Sequence, residues 1–330
     1  MQASRVNLAI LFLVVAATAT GLVAFSLGNR IAVLAVVLHG VAGIGIVVVG
    51  PWKAIAAGRG LRRRRDGRRL VVSLLLVGAA VAVLASGFLQ TSGVSLRLGP
   101  FSTMQVHVGS AFATVMLTLV HVRNRPVKVA EVGRREFLRA GGLAVLVGLA
   151  WLGFEGTLRA VDLPGSRRRF TGSHERGSFD PAGLPVTQWF NDRPPTGEHL
   201  VRFRVAGEEW SLTSEDIDRG DQLVATLDCT SGWYSTQEWE GALLGDLIPP
   251  GAEGSIVVTS ETGYRRRFPM REASRMLLAT RLGGEPLGTA HGAPVRLVAP
   301  GRRGFWWIKW VASVEVDSRP AWWQLPFPTT

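Results

Sequence analysis

The stretch Val224–Ile248, VATLDCTSGWYSTQEWEGALLGDLI, decides how the second half of this chain is read. It begins with the apolar and β-branched residues of a strand, reaches Cys229, and breaks at Thr-Ser-Gly. Cys229 is the single cysteine among 330 residues. One cysteine forms no intramolecular disulfide, so it is either a small core residue or a reactive or ligating thiolate. At a strand end followed by a small polar turn, its sulfur has a route into a cleft.

Working outward from that stretch, HLVRFRVAGEEWSL (His199–Leu212) alternates like a hairpin, and GSIVVTSETGYRRRF (Gly254–Phe268) gives a second strand pair around a Thr-Gly turn. APVRLVAP (Ala293–Pro300) and FWWIKWVASVEV (Phe305–Val316) supply two further strand-like runs, while MREASRMLLATRLGG (Met270–Gly284) has a helical pattern. The expectation is a mixed α+β domain large enough to bury a core and a cofactor.

The first half is chemically different. Residues 1–160 carry 18 Lys and Arg against 4 Asp and Glu, whereas residues 161–330 carry 19 against 21. The net charge of +12 therefore lies wholly in the first half, in short runs between apolar stretches. That distribution marks loops beside a membrane and does not point to nucleic acid. Four uncharged stretches have spanning length: Val6–Leu27, Ile31–Trp52, Leu70–Gln90 and Thr103–Val122. A fifth, Ala140–Phe154, is shorter. The basic connections KAIAAGRGLRRRRDGRR and RNRPVKVAEVGRREFLR hold eight and six Lys and Arg, and the other two hold only Arg30 and Arg97. The positive-inside rule then puts the basic loops in the cytoplasm and the second half outside, a multi-pass protein of the cell (inner) membrane.

These readings divide the chain into a four-helix transmembrane domain (1–125), a basic loop with a fifth helix (126–160), a linker rich in Arg, Gly and Ser (161–183) and the mixed α+β domain (184–330). GRREFLRAGGLAVLVGLAWLGF also resembles a twin-arginine export signal, with paired Arg134 and Arg135 before an apolar region. Alternatively those arginines are cytoplasmic flanking charges. Without a clear small-x-small cleavage site, the segment is expected to stay as an anchor.

Three blocks together carry a family resemblance. The run around Cys229, with Trp-Glu-Gly and an expected helix after it, the Gly-Tyr hairpin TSETGYRRRFPMREA, and GEPLGTAHGAPVRLVAPGRRGFWWIKWVASVEV match in order and spacing over about 140 residues. They resemble the sulfite oxidase superfamily of molybdopterin-dependent oxidoreductases. By that resemblance, Cys229 is the catalytic ligand of molybdenum, as a soft thiolate suits the metal. His291 and Arg296, in His-Gly-x-Pro-x-Arg, take pterin-contacting positions, and Trp307, Ile308 and Lys309 contact the cofactor tail. Tyr264 either lines the site or packs. Thr187, Phe190 and Asn191, in VTQWFNDRPP, resemble an N-terminal cofactor-contacting stretch. Arg302 and Arg303 either attract an anionic substrate such as sulfite or pair with the cofactor phosphate. Eukaryotic sulfite oxidases carry an additional C-terminal dimerisation domain; with the sequence ending soon after the Lys-Trp strand, no equivalent interface is expected. It looks more like minimal bacterial members, including the catalytic subunit of periplasmic methionine sulfoxide reductase systems, here fused to a cytochrome b-like membrane domain.

Three histidines, His39, His107 and His121, fall in or beside apolar helices, where a titratable side chain is costly. His107 and His121 stand about 21 Å apart on one helix. Depth pairs His39, about 12 Å in, with His107, about 6 Å in, better than either with His121. A haem b held there, or else ordinary solvation and helix hydrogen bonding, accounts for them. With haem, single electrons pass between the molybdenum site and a quinone or other membrane carrier. The function expected is oxygen-atom transfer on a small S-oxo or N-oxo substrate, in either direction. The alternative is a metal-free, membrane-anchored binding or sensor module that keeps the fold.

Overall fold

The computed structural model describes residues 3–61, 67–94, 96–123, 133–187 and 199–328. The chain divides into two compact units, one of Met1–Phe25 and Arg30–His174, the other of Ser26–Asn29 and Glu175–Thr330.

The first unit holds five long helices: α1 (Ala3–Ser26), α2 (Ala32–Leu61), α3 (Gly67–Ser92), α4 (Thr103–Arg123) and α5 (Arg134–Ala160). A two-strand hairpin, β1 (Arg97–Leu98) and β2 (Phe101–Ser102), joins α3 to α4. All five helices are long and apolar enough to cross a membrane. The fifth extends well beyond the short stretch expected, with its apolar part running over Phe137–Ala160. Large apolar side chains such as Phe12, Leu34, Phe112 and Leu149 face outward. Polar ones turn inward on the backbone: Thr18, Ser86, Ser110 and Thr114 each donate to the carbonyl four residues back. That is how a helix satisfies hydroxyls where no water is at hand. Ile44, Val147 and Trp151 pack α2 on α5, and Phe88 of α3 meets Phe154 of α5 edge to face.

The second unit is built on two sheets. Its strands are β3 (His174–Glu175, straddling the unit boundary), β4 (Val201–Val205), β5 (Glu208–Leu212), β6 (Asp221–Cys229), β7 (Trp233–Leu243), β8 (Ser255–Ser260), β9 (Arg265–Pro269), β10 (Leu277–Leu282), β11 (Glu285–Pro286), β12 (Arg296–Val298) and β13 (Val311–Asp317). One sheet runs β11-β10-β7-β3, with β6 paired to β7 and β12 to β10; the other runs β5-β4-β13-β8-β9. In β4, Val201, Phe203 and Val205 face the core while Arg202 and Arg204 face out, as its alternation predicts. The core between the sheets takes Phe203, Ile256 and Phe268 from one and Trp239, Leu278 and Leu297 from the other.

Three local expectations are corrected. Within Met270–Gly284 only Met270–Arg275 is helical, and as a 3-10 turn; Leu277–Leu282 is β10, buried on both faces, so it lacks the alternation that marks a strand. In Phe305–Val316 the strand starts only at Val311, because Gly304–Trp306 coils into a 3-10 turn. After Cys229, Trp-Glu-Gly lies inside the long strand β7, and the helix behind it is the single turn Leu244–Leu247. The polar segment after α5 is held in place: Arg168 pairs with Glu155, and Gly177 O accepts from Ser235 Oγ and Gln237 Nε2.

Candidate active site

Cys229 ends β6 and faces Trp233 across the β6–β7 hairpin. The turn between them closes with Gly232 N donating to Cys229 O at 3.1 Å, and the Ser231 N–H lies 3.5 Å from the sulfur. Trp233 Nε1 donates to Thr187 Oγ1 at 3.0 Å, which fixes Thr187 beside this turn. The thiol is partly buried. Burial pushes its pKa up, while the Ser231 N–H and the positive charge of Arg303 act against that rise.

The loop before the 3-10 turn Gly304–Trp306 is laid against the strand end. A methyl group at Gly304 would stand 3.1 Å from Cys229 Cα, so a glycine allows that approach. Arg303 forms a parallel bridge with Asp228, and its Nη1 donates to Asp228 Oδ1 at 2.5 Å. Arg302 grips Glu272 with two hydrogen bonds, at 3.1 and 2.5 Å. The Tyr264 hydroxyl donates to Phe305 O at 2.5 Å and so braces the same loop; burial raises its pKa to about 12.

A second cluster forms where β12 and the segment before β13 meet. Arg296 is 3% exposed and lies beside the edge-to-face pair Trp239 and Trp307, with the ring centroids 5.3 and 5.8 Å away. Its Nη1 donates to His291 O at 2.8 Å. Its Nε–H is buried without a partner, and among the described residues no carboxylate pairs with it. Burial lowers its pKa to about 10, which leaves it charged at neutral pH, and the thiol of Cys229 acts to raise it. Lys309 Nζ donates to Ala290 O at 2.5 Å. His291 is held at about 4, first by burial and then by the charges of Arg296 and Lys309. Gly292, at φ 113°, lets these three converge: a methyl group there would lie 3.2 Å from Arg296 Cβ and from Lys309 Cα.

Of the residues singled out from sequence, Cys229 and Thr187 thus share one turn, and His291, Arg296 and Lys309 share one cluster. Trp307 and Ile308 are buried in the core, 3% and 1% exposed, with Ile308 O accepting from Leu297 N and Trp307 N donating to Gly304 O. Phe190 and Asn191 lie outside the described residues. Sequence reasoning passed over Asp228, Ser231, Trp239 and Glu272, whose parts depend on contacts that no local pattern encodes.

A molybdenum-bearing pterin asks for a soft anionic ligand to the metal, together with cations and donors for its oxygens and ring nitrogens. The residues fit. Cys229 supplies the sulfur, and Arg296 is a buried cation with an unused donor in the electrostatic field of that sulfur.

The second unit is similar to a molybdopterin-binding oxidoreductase domain. Residues 194–323 match the family described as "Oxidoreductase molybdopterin binding domain". Mitochondrial sulfite oxidase of Mus musculus is 32% identical over 148 residues, 39% of this chain and 26% of that protein. The protein-methionine-sulfoxide reductase catalytic subunit MsrP of Xanthomonas campestris is 31% identical over 145 residues, 36% of this chain and 45% of that one. The solved structure of the sulfane dehydrogenase SoxCD from Paracoccus pantotrophus aligns at 23% identity with a TM-score of 0.34, covering 36% of this chain and 38% of its own. The chain spans about a quarter of the mouse protein and under half of the bacterial subunit.

Proposed function

We propose that this chain is a membrane-anchored molybdenum oxidoreductase that moves an oxygen atom to or from a small S-oxo or N-oxo substrate and exchanges electrons with the membrane. The observation that carries the reading is Cys229 at a strand end within the field of a buried arginine, Arg296, that has no carboxylate partner among the described residues. When bound, the molybdenum cofactor supplies the two-electron couple for oxygen-atom transfer. Cys229 ligates the metal as a thiolate. Arg296, Lys309 and the neutral imidazole of His291 grip the pterin and its phosphate, and Thr187 orders the cysteine turn through Trp233. Trp307 and Ile308 belong to the segment next to the cofactor tail.

Arg302 and Arg303 each face a carboxylate. Their loop therefore brings little net charge to the site, which supports an uncharged S-oxide over dianionic sulfite. Sulfite oxidases and a sulfoxide reductase both stand among the relatives, at 32% and 31% identity, so the loop charge carries this choice. The five apolar helices and the basic loops between them support a multi-pass protein of the inner membrane, in contact with lipid, with the catalytic domain outside. A quinone or similar carrier is its electron partner.

The test uses detergent-purified full chain from a molybdate-supplied host. Molybdenum should be present, and a methionine sulfoxide substrate should turn over with a reduced quinol analogue. Cys229→Ser should abolish turnover. Molybdenum-free protein, or a Cys229→Ser variant as active as its parent, overturns the reading; sulfite oxidation without sulfoxide reduction overturns the choice of substrate.

A further inference from the structure

Gly28 stands two residues past the end of α1, where a glycine commonly takes a left-handed φ to close a helix. It does not do so here, because Gly28 is not among the glycines of positive φ. The reason for a glycine lies in what it touches. A methyl group on Gly28 would stand 2.6 Å from Gly301 O, 2.8 Å from Arg302 C and 2.9 Å from Arg303 N. These are main-chain atoms of three successive residues, so no side chain can swing aside to make room. The segment Ser26–Asn29 that carries Gly28 belongs to the second unit, the one built on the two sheets.

The run that Gly28 presses on is the one laid against the end of β6. At its far end, Gly304 meets Cys229 Cα, where a methyl group would stand 3.1 Å away. Between the two glycines, Arg303 pairs with Asp228, the residue before Cys229. The run has little freedom to yield outward. Arg302 N donates to Ala299 O at 3.2 Å, and Arg302 O accepts from Trp307 Nε1 at 3.3 Å. The Arg302 side chain is held by Glu272 and lies 4.6 Å from the ring centre of Trp306. Close-packed main chain passes a displacement on rather than absorbing it. A push at Gly28 therefore arrives at the two contacts that hold the strand end, Arg303–Asp228 and Gly304–Cys229.

We propose that Gly28 is a positioning residue of the molybdenum site. Its turn seats the main chain of Gly301–Arg303, and through Arg303 and Gly304 that seating sets where the Cys229 sulfur is held. The second half of this inference rests on the reading of Cys229 as the metal ligand; the seating of the loop does not.

The test compares full-length Gly28→Ala and Gly28→Val in detergent with the parent and with Gly43→Ala, whose methyl group meets nothing within 4 Å. In protein from cells grown without molybdate, the amides of Arg302, Trp306 and Trp307, which close this loop, should exchange about tenfold faster in Gly28→Ala. Gly28→Val should be faster still, and Gly43→Ala should match the parent. In protein from a molybdate-supplied host, the paramagnetic resonance of half-reduced molybdenum reports its sulfur ligand, and it should shift progressively from parent to alanine to valine. A loss of general stability alone would lower the metal content without moving that resonance. Exchange in Gly28→Ala equal to the parent's overturns the seating of the loop, and faster exchange with an unmoved resonance overturns the link to the sulfur. A parent without molybdenum overturns the metal reading and the link that rests on it, while the exchange comparison still decides the seating. If Gly28→Val does not accumulate, Gly28→Ala decides by itself.

Discussion

Arg303 Nη1 lies 2.5 Å from Asp228 Oδ1, with the two side chains 4% and 3% exposed, so an ion pair is buried directly beside the residue read as the metal ligand. Arg303 Nη2 also reaches the carbonyl of Cys229 at 3.4 Å. The pair therefore ties the loop 300–306 to the end of β6, and the position of the sulfur depends on it.

Breaking one half of this pair leaves an uncompensated charge in the core. Arg303→Met should destabilise the second unit by about 3–5 kcal/mol, read as a lower unfolding midpoint, and reduce the molybdenum retained. Replacing both partners, with Asp228→Leu added, should recover most of the stability but not the molybdenum, because the loop loses its register. Equal molybdenum in the double variant and the parent would refute the positioning role.

His291 gives a pH dependence whose sign is fixed. Its folded pKa of about 4 lies below the ordinary 6.5, first because of burial and then because of Arg296 and Lys309. Between those values the unfolded chain takes up a proton that the folded chain refuses, so this group makes stability fall as pH drops from 6.5 toward 4. His291→Gln should flatten the decline across that window and leave the region above pH 7 unchanged. An imidazole resonance that titrates near the ordinary value in the folded protein would sink this account.

How much of this was legible beforehand depends on the range of each interaction. The five helices were readable because an apolar run of spanning length is a one-dimensional signal, and the hairpins of β4–β5 and β8–β9 because alternation and turn residues are local. β10 was misread because a strand buried on both faces carries no alternation. For Arg302 and Arg303 the alternatives stayed open because Glu272 and Asp228 lie 30 and 75 residues away in sequence. Tyr264 was ambiguous for the same reason, with its acceptor 41 residues on. Helix depth alone put His39 near His107, whose ring centroids lie 5.8 Å apart.

Gly292 tests the convergence of the cationic cluster. Alanine there must adopt a φ of 113° and press on both Arg296 and Lys309. The expected cost is about 1–3 kcal/mol, and a splayed His291–Arg296–Lys309 cluster should retain less molybdenum. Thermal unfolding and metal analysis of Gly292→Ala check the two parts; an alanine variant equal to the parent in both would show that the close approach is not needed.

Arg296 separates stability from function. A buried cation without a carboxylate partner, and with one donor unused, costs the cofactor-free domain free energy, and the two tryptophan faces offset only part of that. Natural sequences keep such a residue where a ligand needs it. Arg296→Met, which fills similar volume without the charge, should therefore raise or preserve the unfolding midpoint of protein prepared without molybdate, yet lower the molybdenum bound in a molybdate-supplied host. Arg296→Lys should do neither well, because a point charge lacks the planar guanidinium that packs beside Trp239 and Trp307. The decisive comparison is the midpoint with and without cofactor. The parent should gain stability on loading and Arg296→Met should gain little, whereas an equal gain in both would mean that Arg296 is a structural cation and that the cofactor is held elsewhere.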